Sequence, residues 1–208
     1  MKPLDQCRLY TFVDAAYLRD QDPVAVAREL CEGGSDLIQL RAKSWSVDQV
    51  RAAAEAILVV TRAAKVRLVI NDFPDVAKEV GADFCHLGQE DYFDSGLRAE
   101  VPFGLSSHAP EQAKRALEAR PEYIAIGPVY ATGTKPGARP VTLEYVRWAA
   151  GNVKIPWFAI GGITLENIDD VIAAGARRTC VVSAILNAPN VRGACHAFAE
   201  RLRSAPLN

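Results

Sequence analysis

Short apolar runs recur along the chain at positions 9–13, 37–40, 68–70, 84–87, 103–105, 123–126, 157–160 and 179–182, which predicts eight strands. Between several of them the pattern changes to helical spacing. Asp22 followed by Pro23 predicts a capped helix start, and Gly33-Gly34 predicts its end. Val47, Val50, Ala54, Ile57 and Leu58 form an apolar stripe at helical intervals, and Thr164 predicts the cap of a later helix that closes at Gly175. A weak internal echo supports the alternation: Gly-Gly-Ser-Asp36, Val-Gly-Ala-Asp83 and Ala-Gly-Ala-Arg177 each separate a predicted helix from the next strand. Their spacings correspond to two and four units of roughly 23 residues. Strands that are continuously apolar are buried on both faces, hence parallel and covered by helices. The predicted fold is α/β, a compact (β/α)8 TIM barrel spanning residues 1–208 as one domain, with a doubly wound open sheet as the alternative.

Composition changes this picture little. A chain of 208 residues, 50% hydrophobic and 24% charged, is ordinary globular material and not a disordered or low-complexity one. Charge matters more. The 24 Lys and Arg residues against 25 Asp and Glu give a net charge of -1, which argues against a coat for nucleic acid or an anionic membrane. Any anionic ligand must therefore be met by locally gathered cations or backbone NH groups. The most apolar region, 52–60, is broken by Glu55, and the N-terminal segment carries Asp5 and lacks an apolar secretory core, so a soluble cytoplasmic protein is expected. Five widely spaced cysteines, with no Cys-x-x-Cys pair, predict free and mostly buried thiols.

In either α/β architecture ligands bind beyond the C-terminal ends of the strands, where the polar residues concentrate. After the second strand, Gln39, Arg41 and Lys43 alternate, so an extended segment turns an amide and two cations the same way. They suit an anion, or equally an ion-pair cluster at the barrel mouth. Asn71-Asp72 and Gly88-Gln89-Glu90-Asp91 follow the third and fourth strands. Carboxylates leaving adjacent strands repel unless a proton or a hard cation lies between them, and Mg²⁺ takes one or two carboxylates together with phosphate and water. Asp72 and Asp91 are equally suited to capping the next turns.

The fifth strand ends at Ser106-Ser107-His108. After the sixth comes a Gly/Pro-rich loop, 131–140, holding Thr132, Gly133, Thr134, Lys135 and Arg139; it is either a mouth loop placing Lys135 over a phosphate or a solvated connection. Strand seven ends in Gly161-Gly162 and strand eight in Val182-Ser183, where many barrels bind phosphate on backbone NH groups. His86 and His196 read as structural.

Taken in order, Ile38-Gln-Leu-Arg-Ala-Lys43, Ile70-Asn-Asp72, Val80-Gly-Ala-Asp83, His86-Leu-Gly-Gln-Glu-Asp91, Gly104-Leu-Ser-Ser-His108, Ile126-Gly-Pro-Val-Tyr130, Thr132-Gly-Thr-Lys135, Ala159-Ile-Gly-Gly-Ile-Thr164 and Val181-Val-Ser-Ala-Ile185 resemble the thiamine phosphate synthase family over nearly the whole chain. The resemblance implies a transferase that joins hydroxymethylpyrimidine diphosphate to a thiazole phosphate, releasing pyrophosphate through a dissociative, Mg²⁺-assisted substitution. Carried over by position, it implies that Gln39, Arg41, Lys43, Asn71, Ser106 and Lys135 hold the pyrimidine diphosphate, with Arg41, Ser106 and Lys135 stabilising the departing charge. Asp72 and Asp91 would hold Mg²⁺, and Thr132, Gly133, Thr134, Gly162, Val182 and Ser183 the thiazole phosphate. Its partners would be these small molecules, with no nucleic acid and no membrane; a homo-oligomer is compatible. The chain departs from the family pattern at Ala42, at Phe73-Pro74 and in the first strand, Tyr-Thr-Phe-Val-Asp14. Rival readings are a thiazole tautomerase-like barrel using His108 for proton transfer, and a non-catalytic sensor of phosphate ligands.

Overall fold

Every predicted apolar run forms a strand, and the strands pair strictly with their neighbours in sequence. In the computed structural model, which describes residues 1–132 and 140–205, the order is β1 (Leu9–Asp14), β2 (Leu37–Arg41), β3 (Arg67–Asn71), β4 (Phe84–Leu87), β5 (Phe103–Ser107), β6 (Tyr123–Ile126), β7 (Trp157–Ile160) and β8 (Thr179–Cys180). All pairs are parallel, and β8 closes on β1, so the sheet is a closed barrel rather than a doubly wound one. The helices are α1 (Ala15–Leu18), α2 (Pro23–Glu32), α3 (Val47–Ala64), α4 (Pro74–Val80), α5 (Gln89–Phe93), α6 (Pro110–Glu118), α7 (Thr142–Asn152), α8 (Ile168–Ala173), α9 (Ser183–Leu186) and α10 (Val191–Arg203). Among the described residues no helix is long and apolar enough to cross a membrane.

Local chemistry explains the helix boundaries. The Asp22 carboxylate accepts from the amides of Val24 and Ala25 at 3.2 and 3.3 Å, with Pro23 in the first turn. Ser46 and Gln49 form a reciprocal capping box at the start of α3. Three local readings differ from expectation. Val50, Ala54, Ile57 and Leu58 are buried, but Val47 begins α3 before the helix reaches the barrel and is exposed. Thr164 does not cap α8; Asn167 accepts from the Thr164 amide and donates to the Gly162 carbonyl, which holds 164–167 as a turn and delays the helix to Ile168. β8 is shorter than the run at 179–182, because Val182 turns out of the extended conformation (φ -114°, ψ -85°) to lead into α9. The five cysteines are unpaired, and four are buried.

Alternation along the strands divides the apolar residues into two clusters. One lies under the helices and includes Ile38, Leu40, Leu68, Ile70, Ile124 and Ile126. The other fills the barrel with Tyr10, Phe12, Leu37, Val69, Phe84, Tyr123 and Phe158. Inside, the rings of Tyr10, Tyr123 and Phe158 meet edge to face, with centroids 5.4–5.8 Å apart. Gly104 makes room for this group: a Cβ there would lie 2.2 Å from Cζ of Tyr123.

Gly104→Ala should therefore overpack the barrel and cost about 1–3 kcal/mol in urea unfolding. Gly151→Ala, at an exposed position of α7 with nothing within 4 Å, should instead stabilise by up to about 1 kcal/mol. Equal effects at the two positions would contradict the packing described here.

Candidate active site

A cavity of about 510 Å³ opens at the C-terminal ends of the strands. The alternation of β2 carries Gln39 and Arg41 into it, and Lys43 follows at the rim. Arg41 donates to Asp14 at the end of β1 (2.7 Å), and Asp14 is only 2% exposed. Lys43 lies 3.4 Å from Asp72, which follows β3. Each cation is thus held by a carboxylate from a neighbouring strand, so the ion-pair and anion-binding readings of this cluster describe the same residues.

Asp72 has φ 64°, a left-handed conformation uncommon for a non-glycine residue, and its side chain does not cap α4, whose cap position is Phe73. Burial pushes its carboxyl above the usual range; Lys43 opposes the rise and the charge of Asp91 adds to it. Asp91 does have a local task, accepting from the Gly88 amide at 3.2 Å at the start of α5. That bond uses Oδ2. Among the described residues no cluster of three or more His, Cys, Asp or Glu side chains forms a metal cage. Two carboxylates close enough for the charge of Asp91 to be felt at Asp72 fit Mg²⁺, a cation that draws its remaining ligands from phosphate and water.

Deeper in the barrel, polar groups form a continuous chain. Gln39 Nε2 donates to Tyr10 Oη (2.6 Å), and the Tyr10 and Tyr123 hydroxyls are 2.9 Å apart. Tyr123 Oη is 3.1 Å from His86 Nδ1, and His86 Nε2 is 3.0 Å from Ser106 Oγ. Burial holds both tyrosines well above their usual pKa and, with the nearby His108, lowers that of His86 to about 4, so all three are neutral at working pH. Across the cavity, His108 Nδ1 donates to the Gly127 carbonyl. The opposite wall contains Gly162, where φ is 63° and a Cβ would lie 2.6 Å from the Ala131 carbonyl oxygen. A side chain there would displace backbone, so only glycine lets the wall close in this way.

Gln39, Arg41, Lys43, Asn71, Asp72, Asp91, Ser106, Thr132, Gly162, Val182 and Ser183 all line this one cavity. Gly133, Thr134 and Lys135 lie outside the described residues. Sequence reasoning missed Asp14 as the partner of Arg41 and missed Tyr10 in the cavity wall. It also read His86 as structural, although the ring lines the cavity and touches Ser106. Its position on β4, in step with Asn71 across the β3 pairing, was the available signal.

A closed parallel barrel whose C-terminal mouth gathers cations, an amide and paired carboxylates belongs to the (β/α)8 proteins that bind small ligands at that end. A family model described as thiamine monophosphate synthase matches residues 9–185. The thiamine-phosphate synthase of Thermus thermophilus is 49% identical over 173 residues, covering 82% of this chain and 84% of the relative. That of Halalkalibacterium halodurans is 37% identical over 200 residues, covering 94% and 95%. The solved thiamine phosphate pyrophosphorylase from Pyrococcus furiosus superposes with a TM-score of 0.85 at 27% identity, covering 97% of this chain and 98% of that one. This chain belongs to the thiamine monophosphate synthase family.

The depressed pKa of His86 has a consequence for stability. Unfolding exposes a histidine that takes up a proton near pH 6.5, whereas the folded ring does so only near 4, so stability falls as pH drops through that window, by up to about 3 kcal/mol. His86→Gln should remove this component. Urea titrations at pH 7 and pH 4.5 check it, and equal acid losses in both proteins would contradict a buried neutral His86.

Proposed function

We propose that this chain condenses hydroxymethylpyrimidine diphosphate with thiazole phosphate to give thiamine phosphate and pyrophosphate. The reading rests on family membership and on one observation above all: the cations, the amides and the paired carboxylates suited to a diphosphate share a single cavity with the glycine wall suited to a second phosphate. A tautomerase acting on the thiazole alone has no use for the whole first set.

In this reading Gln39, Arg41, Lys43, Asn71, Ser106 and Lys135 bind the pyrimidine diphosphate. Bond breaking is dissociative. The carbon–oxygen bond at the pyrimidine methylene opens, its electron pair leaves with pyrophosphate, and the thiazole nitrogen then attacks the methylene cation. Arg41, Lys43, Ser106 and Lys135 stabilise the charge gathering on the leaving group. Mg²⁺, when bound by Asp72 and Asp91, would neutralise further charge on that diphosphate. Apolar lining from Phe12, Ile160 and Ile163 helps to keep water from the cation. The ion pairs Arg41–Asp14 and Lys43–Asp72 hold the cations in place before the ligand arrives, so little reorganisation accompanies bond breaking. Thr132, Gly133, Thr134, Gly162, Val182 and Ser183 receive the thiazole phosphate. Val182 and Ser183 begin α9, where the first amides have no partner within the helix.

Asp72→Asn and Asp91→Asn test the metal assignment. Each should lower Mg²⁺-dependent turnover by roughly two orders of magnitude and weaken Mg²⁺-dependent binding of the pyrimidine diphosphate. The double variant should cost little more than either single one. Near-normal, Mg²⁺-dependent rates in both single variants would contradict the assignment, because Asn serves almost as well as Asp where only a turn is capped.

A further inference from the structure

We infer that Gln39, Tyr10, Tyr123, His86 and Ser106 form a one-directional hydrogen-bond relay that fixes His86 as its Nε2–H tautomer and leaves the Ser106 hydroxyl hydrogen free to be donated into the cavity. Tyr10, Tyr123 and His86 are then positioning residues for a ligand-binding serine. The inference deepens the functional reading above, since the acceptor for that hydrogen is an oxygen or nitrogen of the pyrimidine diphosphate.

Direction follows from the first link. The amide nitrogen of Gln39 faces Tyr10 Oη at 2.6 Å and can only donate, so the Tyr10 hydroxyl accepts there and must send its own hydrogen elsewhere. Its other polar neighbour is the Tyr123 hydroxyl at 2.9 Å. Tyr123, having accepted, sends its hydrogen to His86 Nδ1 at 3.1 Å, which must then be the bare nitrogen of the ring. The proton of a neutral imidazole consequently sits on Nε2 and is donated to Ser106 Oγ at 3.0 Å. Ser106 has spent one lone pair and keeps its hydrogen. The opposite direction fails at its far end: it would aim the Tyr10 hydrogen at the Gln39 NH₂ group inside an apolar barrel, an unmade bond where none can be replaced by water.

The chemistry at the open end favours the same direction. A serine that spends its hydrogen on histidine turns only lone pairs toward the ligand, which is repulsive for an anion, whereas a serine that keeps it offers a donor to developing negative charge. The relay also crosses the barrel, from β2 through β1 and β6 to β4 and β5, so no local turn accounts for it. Gly104, one residue pair below Ser106, admits the Tyr123 ring that forms the middle of the chain.

The direct test is ¹⁵N NMR of histidine-labelled protein, which has three histidines to assign. At neutral pH, without ligand, His86 should be neutral with its proton on Nε2. A proton on Nδ1, or a mixture of tautomers, overturns the relay.

A kinetic arm asks whether His86 acts through Ser106. His86→Gln sets an amide donor near the place of Nε2 and should keep kcat within about tenfold of the parent. His86→Asn, whose amide lies nearer the place of Nδ1, should lose roughly two orders of magnitude, as Ser106→Ala does. In the Ser106→Ala background His86→Asn should cost no more than about twofold. KM for thiazole phosphate should be unchanged throughout. Equal rates for the Gln and Asn variants, or additive losses with Ser106→Ala, overturn the positioning role. Should His86→Asn fail to fold, Tyr123→Phe keeps the ring and is read in the same two backgrounds. A parent protein that makes no thiamine phosphate refutes the functional reading instead, and the NMR result still decides the relay.

Discussion

Closing eight parallel strands creates an interior that must be filled from one end and left open at the other, and this constraint organises the rest of the molecule. The sequence fills the closed end with interlocked aromatic rings, and two of these carry hydroxyls. A buried hydroxyl needs a partner. Tyr10 and Tyr123 find theirs in one another and, beyond, in Gln39 and His86, so satisfying the core carries polar order upward to the edge of the cavity. Core and site are consequently one structure, joined at Ser106.

At the rim the governing interaction is electrostatic. A chain with almost balanced charge cannot attract an anion through its overall field, and here two cations of one short segment, Arg41 and Lys43, are held at the cavity against Asp14 and Asp72. Burial of Asp72, with the charge of Asp91 added to it, then pushes the Asp72 carboxyl above its usual range, and Lys43 offsets only part of the rise. Stability alone would not select that arrangement. A protein that binds a divalent cation together with a diphosphate gains from it, because the cost is relieved when the charges meet.

The barrel was legible because each strand is a short apolar run and each intervening helix has recognisable punctuation. Likewise the set Gln39, Arg41 and Lys43 was legible because a period of two is the geometry of a strand. Less could be read where tertiary contacts decide. His86 has no motif of its own beyond a place in a strand, and its meaning depends on Tyr123 and Ser106, which arrive from strands distant in sequence. Asp14 was visible as a carboxylate closing an atypical strand, but its pairing with Arg41 needs the register of β1 on β2, which sets those two residues directly opposite one another. Thr164 illustrates the converse: a good capping residue was overruled by Asn167, whose amide reaches both Thr164 and Gly162. The echo of glycine-containing corners ending at Asp36, Asp83 and Arg177, by contrast, does correspond to places where chain passes from helix into strand, as at Asp36, which accepts from the amides of Arg8 and Leu9 at the foot of β1.

The most direct measurement of the central claim is product analysis with the purified chain, hydroxymethylpyrimidine diphosphate, thiazole phosphate and Mg²⁺. The account predicts thiamine phosphate and pyrophosphate in equal amounts, dependent on both substrates and lost when Mg²⁺ is chelated. Binding of both ligands without product, or conversion of a thiazole isomer without consumption of the pyrimidine diphosphate, would contradict it.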